Sequence, residues 1–135
     1  MVDWKWAGIG AILVIILSIL LGLLTVYGAI IGVLIATIIV GYMVGGGVMN
    51  GAVNGFIAGF IGGIIVGIIS ALGITAIAVT TETSLGIGLA AGVLVAIVLI
   101  ISYLILGAIG GAIGGLIKGQ SKTTESTKAA EPATE

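Results

Sequence analysis

The chain contains no cysteine, no histidine and no arginine, and a single proline in 135 residues. Charged residues make up 7% of it, against about 25% in an ordinary soluble domain. Each shortage excludes something. Without histidine or cysteine there is no imidazole for acid–base work, no thiol nucleophile and few of the usual metal ligands. With so few charges a water-facing surface cannot be built, and a disordered chain needs the opposite balance. Collagen is excluded because proline is nearly absent and glycine has no three-residue period. The four lysines form no basic patch for nucleic acid. We therefore expect no enzymatic activity, no cofactor, no metal, no nucleic-acid partner and no identifiable small-molecule substrate.

What is present is apolar. Hydrophobic residues make up 60% of the chain, and 25 residues are glycine. The charges fall in three places: Asp3 and Lys5, then Glu82 alone, then six between Lys118 and Glu135. No residue from Trp6 to Thr81, or from Thr83 to Ile117, is charged. A membrane-spanning helix needs about 20 apolar residues, so the first run has room for three spans and the second for one long one. Runs such as Ala11 to Leu17 do not alternate as barrel strands do. The expected fold class is an all-α integral membrane protein, with four transmembrane helices packed through glycine-zipper stripes. Its partners are then the lipid bilayer and, as an open alternative, further copies of itself.

The spacing predicts a transmembrane domain over residues 1–117. Helix one is expected from Trp4 to Leu24, too long for a signal-peptide core, with Trp4 and Trp6 as interfacial anchors. A tight connection at Thr25 to Gly28 leads to helix two, Ala29 to Val44. Gly45-Gly46-Gly47 predicts a turn. Asn50 is a candidate cap for helix three, expected from Gly51 to Leu72 or a few residues beyond. Thr80 to Ser84 reads as a polar loop, with Ser84 capping helix four. That helix is expected over 85–110, or to Ile117 with a tilt or bend. Residues 118–135 read as a disordered tail. Because every lysine lies at a terminus, the positive-inside rule predicts both termini in the cytoplasm and Glu82 outside, in the cell membrane.

The strongest pattern is glycine every fourth residue: Gly47, Gly51, Gly55, Gly59, Gly63 and Gly67, continued by Ala71. A second run is Gly107, Gly111, Gly115 and Gly119, with Gly110 and Gly114 beside it. Shorter runs are Gly28, Gly32 and Ala36, and Gly88, Gly92 and Ala96. In lipid there is little hydrophobic force between helices, so close backbone approach must hold them. Four residues turn a helix by about 400°, so the long stripe winds about half-way round it. One partner could not cover it, which predicts that helix three touches at least two neighbours and lies at the bundle centre. The frames at Gly59 to Gly67 and Gly107 to Gly115 match, by duplication of a hairpin or by biased composition.

Asn50 and Asn54 share a helix face. They are either a polar patch at a pore mouth, or a cap and an interhelical hydrogen bond, the more ordinary use. Glu82 would suggest ion coupling if embedded, but its threonine neighbours place it in a wet loop.

The opening Met1-Val2-Asp3-Trp4-Lys5, the central Gly41-Tyr42-Met43-Val44-Gly45-Gly46-Gly47, and then Asn50-Gly51-Ala52-Val53 and Gly59-Phe60-Ile61-Gly62-Gly63 resemble small archaeal membrane proteins carrying domain of unknown function 5518. The resemblance implies an archaeal cell membrane and a few packed helices, and no catalytic residues. The leading functional expectation is a small multi-pass membrane protein with a structural or assembly role. The alternative is an oligomeric pore, a passive transporter or a holin-like membrane-permeabilising protein.

Overall fold

The computed structural model describes residues 2–25 and 27–130, without the side chains of residues 122 and 123. Among them all regular structure is helical: α1 (Trp4–Leu24), α2 (Gly28–Val44), α3 (Val48–Thr80) and α4 (Leu85–Ala130). Three of these, α1, α3 and α4, are long and apolar enough to cross a membrane, while α2 is a shorter apolar helix of 17 residues. The helices run alternately up and down. α3 packs on all three others and so does α2, whereas the backbones of α1 and α4 stay apart and only their side chains meet, Val14 and Tyr103 sharing a buried cluster among the described residues.

Small residues are inside and large ones outside. The buried face of α1 is Ala7, Gly10, Ala11, Val14 and Ser18, and that of α3 is glycine and alanine apart from Asn54. Ile12, Ile16, Leu20, Phe56, Ile68, Val98 and Ile105 are exposed. In water this distribution would leave most of the apolar surface uncovered, whereas a surrounding of hydrocarbon reverses the preference.

The connections follow from local chemistry. Between α1 and α2 the Gly28 amide donates to the Thr25 carbonyl at 2.9 Å. A Cβ on Gly28 would overlap the Leu21 carbonyl oxygen, so only glycine closes this turn so tightly. Between α2 and α3, Gly45, Gly46 and Gly47 have φ of 67°, 78° and 95°, in the left-handed region that L side chains rarely adopt. These three residues complete the reversal, so α3 begins at once at Val48. Asn50 therefore lies inside the first turn of α3 rather than at its cap, which is Gly47.

Two further expectations are corrected. α3 continues past Leu72 to Thr80, because no strong helix breaker interrupts Ile74 to Val79. It ends where hydroxyls take up its last carbonyls: Thr80 Oγ1 donates to Ile77 O at 2.7 Å, and Thr81 Oγ1 to Ile77 O and Ala78 O, each at 3.1 Å. Glu82 then turns the chain with φ 59°. The segment from Lys118 to Ala130, expected to be disordered, is the continuation of α4. It has no glycine after Gly119 and no proline, Glu125 and Lys128 are opposite charges three apart, and Lys128 lies in the last turn. Residues 131–135 lie outside the described residues. At the start of α4 the Ser84 hydroxyl accepts from the Ile87 amide at 3.4 Å, as its capping position requires.

Candidate functional site: the glycine-faced helix contact

The α3–α4 contact is built almost without side chains. A Cβ on Gly51 would overlap the carbonyl oxygen of Gly111, one on Gly55 that of Gly107, and one on Gly59 that of Tyr103. The reverse holds too: Cβ atoms on Gly107 and Gly111 would overlap the carbonyls of Gly55 and Gly51, and one on Gly115 would lie 2.5 Å from Gly47 O. Each step of four along α3 meets a step of four back along α4. Further up, a Cβ on Gly63 would be 2.9 Å from Tyr103 Cβ, and one on Gly67 3.3 Å from Ala96 O. The stripe then passes to Ala71, whose carbonyl oxygen lies 2.7 Å from a Cβ built on Gly92, and to Thr75, beside Gly88.

From Gly51 to Gly67 the stripe thus faces one partner, contrary to the expectation that one helix could not cover it. The physical reason is mutual. Both helices carry small residues at mean spacings near four, which exceeds the 3.6-residue turn, so the contact line winds around each helix and the other follows it. α3 does touch α1 and α2, but through a different face. Gly47 differs from the others in the run. It lies in the turn and nothing would meet its Cβ within 4 Å, although its carbonyl faces Gly115.

Adjacent glycines serve two neighbours. Successive residues on a helix are about 100° apart, so a doublet opens two faces. Gly111 and Gly115 face α3, whereas Gly110 would meet the Thr37 hydroxyl and Gly114 the Ile38 carbonyl of α2. Gly63 faces α4, whereas a Cβ on Gly62 would lie 2.5 Å from Val14 Cγ1 of α1. Gly41 completes the set, since its Cβ would overlap Gly111 O. The sequence pattern missed Gly10, Gly41 and Gly62 because they lie outside the four-residue series. The signal that finds the doublets is a second stripe displaced by one residue.

The two asparagines are brought together, but by backbone bonds. Asn54 is fully buried; its Oδ1 accepts from the Asp3 amide at 2.9 Å and its Nδ2 donates to Asn50 O at 2.9 Å. Asn50 Nδ2 donates to Gly46 O at 3.4 Å. Asn54 therefore ties the start of α1 to α3. Asn50 also lines a cavity of about 410 Å³ with Asp3, Lys5 and the Gly45-Gly46 turn. At the same end Lys118 Nζ stands 5.3 Å from the centroid of the Tyr42 ring, a cation–π geometry.

The family model described as a family of unknown function (DUF5518) matches residues 4–117. The chain belongs to this family. The match opens on the first residue of α1 and closes one residue before Lys118, so the family segment holds α1, α2, α3, α4 as far as Ile117, and every glycine contact described above. The helical extension from Lys118 lies outside it. No curated protein and no solved structure matches the chain.

Proposed function

We propose that this family member is a multi-pass protein of the cell membrane whose glycine stripes act as a zipper, and that its role is structural or in assembly rather than catalytic. The observation that carries the reading is the seating of carbonyl oxygens of α3 and α4 where glycine Cβ atoms would stand. In hydrocarbon such contact gives van der Waals attraction and Cα–H···O contacts, with no water to displace. All four helices span in this reading, α2 at about 25 Å being the short one, and a local thinning or tilt accommodates it. Both termini lie in the cytoplasm because the lysines are at one end of the bundle, with Glu82 at the other. The cell membrane would be archaeal, as the sequence resemblance implies.

The test compares Gly59→Leu with Leu20→Ala. Gly59 would meet the Tyr103 carbonyl, whereas Leu20 is exposed. Gly59→Leu should lower the thermal unfolding midpoint in detergent far more than Leu20→Ala. Equal midpoints would contradict the zipper.

A further inference from the structure

We propose a binding site within the bundle for an apolar, membrane-soluble molecule that carries a hydrogen-bond-accepting carbonyl oxygen. The site is a cavity of about 240 Å³ where the α1–α2 turn leans on α3 and α4, lined among others by Ser18, Gly22, Ala29, Val66, Ser70 and Tyr103. Its walls are apolar apart from three hydroxyls. Tyr103 is 2% exposed, and its hydroxyl oxygen is buried with no hydrogen-bond partner. An orphaned buried hydroxyl costs about 1–3 kcal/mol, so a stable chain retains one where something else satisfies it. Ser18 lies against the same ring, but its own proton goes to Val14 O at 2.5 Å and Ile15 O at 3.2 Å, and the Tyr103 hydroxyl makes no hydrogen bond of good geometry within the bundle. A second cavity, of about 470 Å³, lies against the same ring, and Ala29 and Tyr103 line both.

Depth selects the ligand. The inference rests on the membrane reading, in which Leu24 at the end of α1 marks the edge of the hydrocarbon. Ser18 is six residues below it, about 9 Å at 1.5 Å per residue. The linkage oxygens of bilayer lipids sit at the interface, above this level. An acceptor oxygen at the depth of Tyr103 therefore belongs to a mobile molecule dissolved in the hydrocarbon, a ketone or quinone carbonyl on an apolar body. The Tyr103 hydroxyl donates to it, and the cavity takes the chain.

The test uses the full chain in lipid nanodiscs with 3-fluorotyrosine at its three tyrosines, read by fluorine resonance. Tyr103→Phe assigns the signal. Octan-2-one should shift the Tyr103 resonance saturably, at a concentration at least tenfold below that needed for octane, with Tyr27 and Tyr42 unmoved. Equal responses to octane and octan-2-one, or no response to either, would overturn the site. Ala29→Leu, which fills both cavities, should abolish the shift; persistence of the shift would place binding elsewhere and overturn it. If the Tyr42 resonance shows that Ala29→Leu does not fold, Ser70→Leu makes the same test from α3. Loss of all dispersion in the unsubstituted chain on transfer to nanodiscs would instead contradict the membrane reading.

Discussion

At the residue scale, glycine has two opposite values in this chain. In an exposed helix interior glycine is less stable than alanine by about 1 kcal/mol, because of backbone entropy. Gly73 is such a position, with nothing within 4 Å of a built Cβ. Gly55 is the reverse, since alanine there would strike Gly107 O and approach Gly111 Cα at 2.7 Å. The four-residue spacing made the second class legible for Gly51, Gly55 and Gly59, and for their partners on α4. It could not separate them from Gly47, which has the same spacing and lies in a turn. Spacing reports a face only where the backbone is helical, and φ of 95° at Gly47 is not. Asn54 behaves like a tether. Asn54→Ala would leave the Asp3 amide without its partner, at a cost of about 1–3 kcal/mol. Its Asp3 amide should exchange hydrogen faster than in the parent chain, while amides in the middle of α3 keep their protection.

At the element scale, hydropathy located the helices and local chemistry set their ends. α1 lies over Trp4–Leu24, the bounds its spacing predicts, with Trp4 and Trp6 at its start and a short turn closing it. The end of α3 was not legible, since apolar residues continue after Leu72 and only the threonine hydroxyls at Thr80 and Thr81 stop it. The turn before α3 depends on left-handed backbone at three successive residues. Gly46→Ala would hold an L side chain at φ 78°, where the penalty is about 1–2 kcal/mol. A lower unfolding midpoint with unchanged helical content by circular dichroism is the expected outcome. The extension of α4 beyond Gly119 is a different case. Near its start Lys118 lies against Gly45, and the described side chains at 124–130 are exposed. Truncation after Gly119 should therefore leave the unfolding midpoint unchanged within error, and remove helical signal in proportion to the residues lost.

At the scale of the whole molecule, α1 and α2 end well below the tip of the α3–α4 hairpin. Ser18, Gly22 and Leu23 of α1 are level with Val66, Ile69 and Ser70 of α3, which runs on to Thr80. Composition implied helices in lipid but not this inequality, because it depends on register, and register is set by which carbonyl meets which glycine. The absence of native cysteine makes topology measurable. Single cysteines at positions 2, 82 and 125 should be labelled from outside intact cells only at position 82. Labelling at 2 or 125 would reverse the proposed orientation. Asn54, the one buried side-chain amide among the described residues, is committed to backbone at both ends of its side chain. Purified protein in liposomes should accordingly give no ion flux above that of empty vesicles.

The central claim is that the bundle is held by backbone contact through glycine. It makes one substitution type change sign with position. Alanine should be introduced separately at Gly73 and at Gly111, whose Cβ would meet Gly51 O and lie 2.9 Å from Gly55 Cα. Thermal unfolding of the two variants and the parent is then compared in the same detergent. Gly73→Ala should hold or raise the midpoint, as helix propensity alone dictates. Gly111→Ala should lower it steeply, by more than the roughly 1 kcal/mol that propensity returns. Midpoints that move together, in either direction, would contradict the claim.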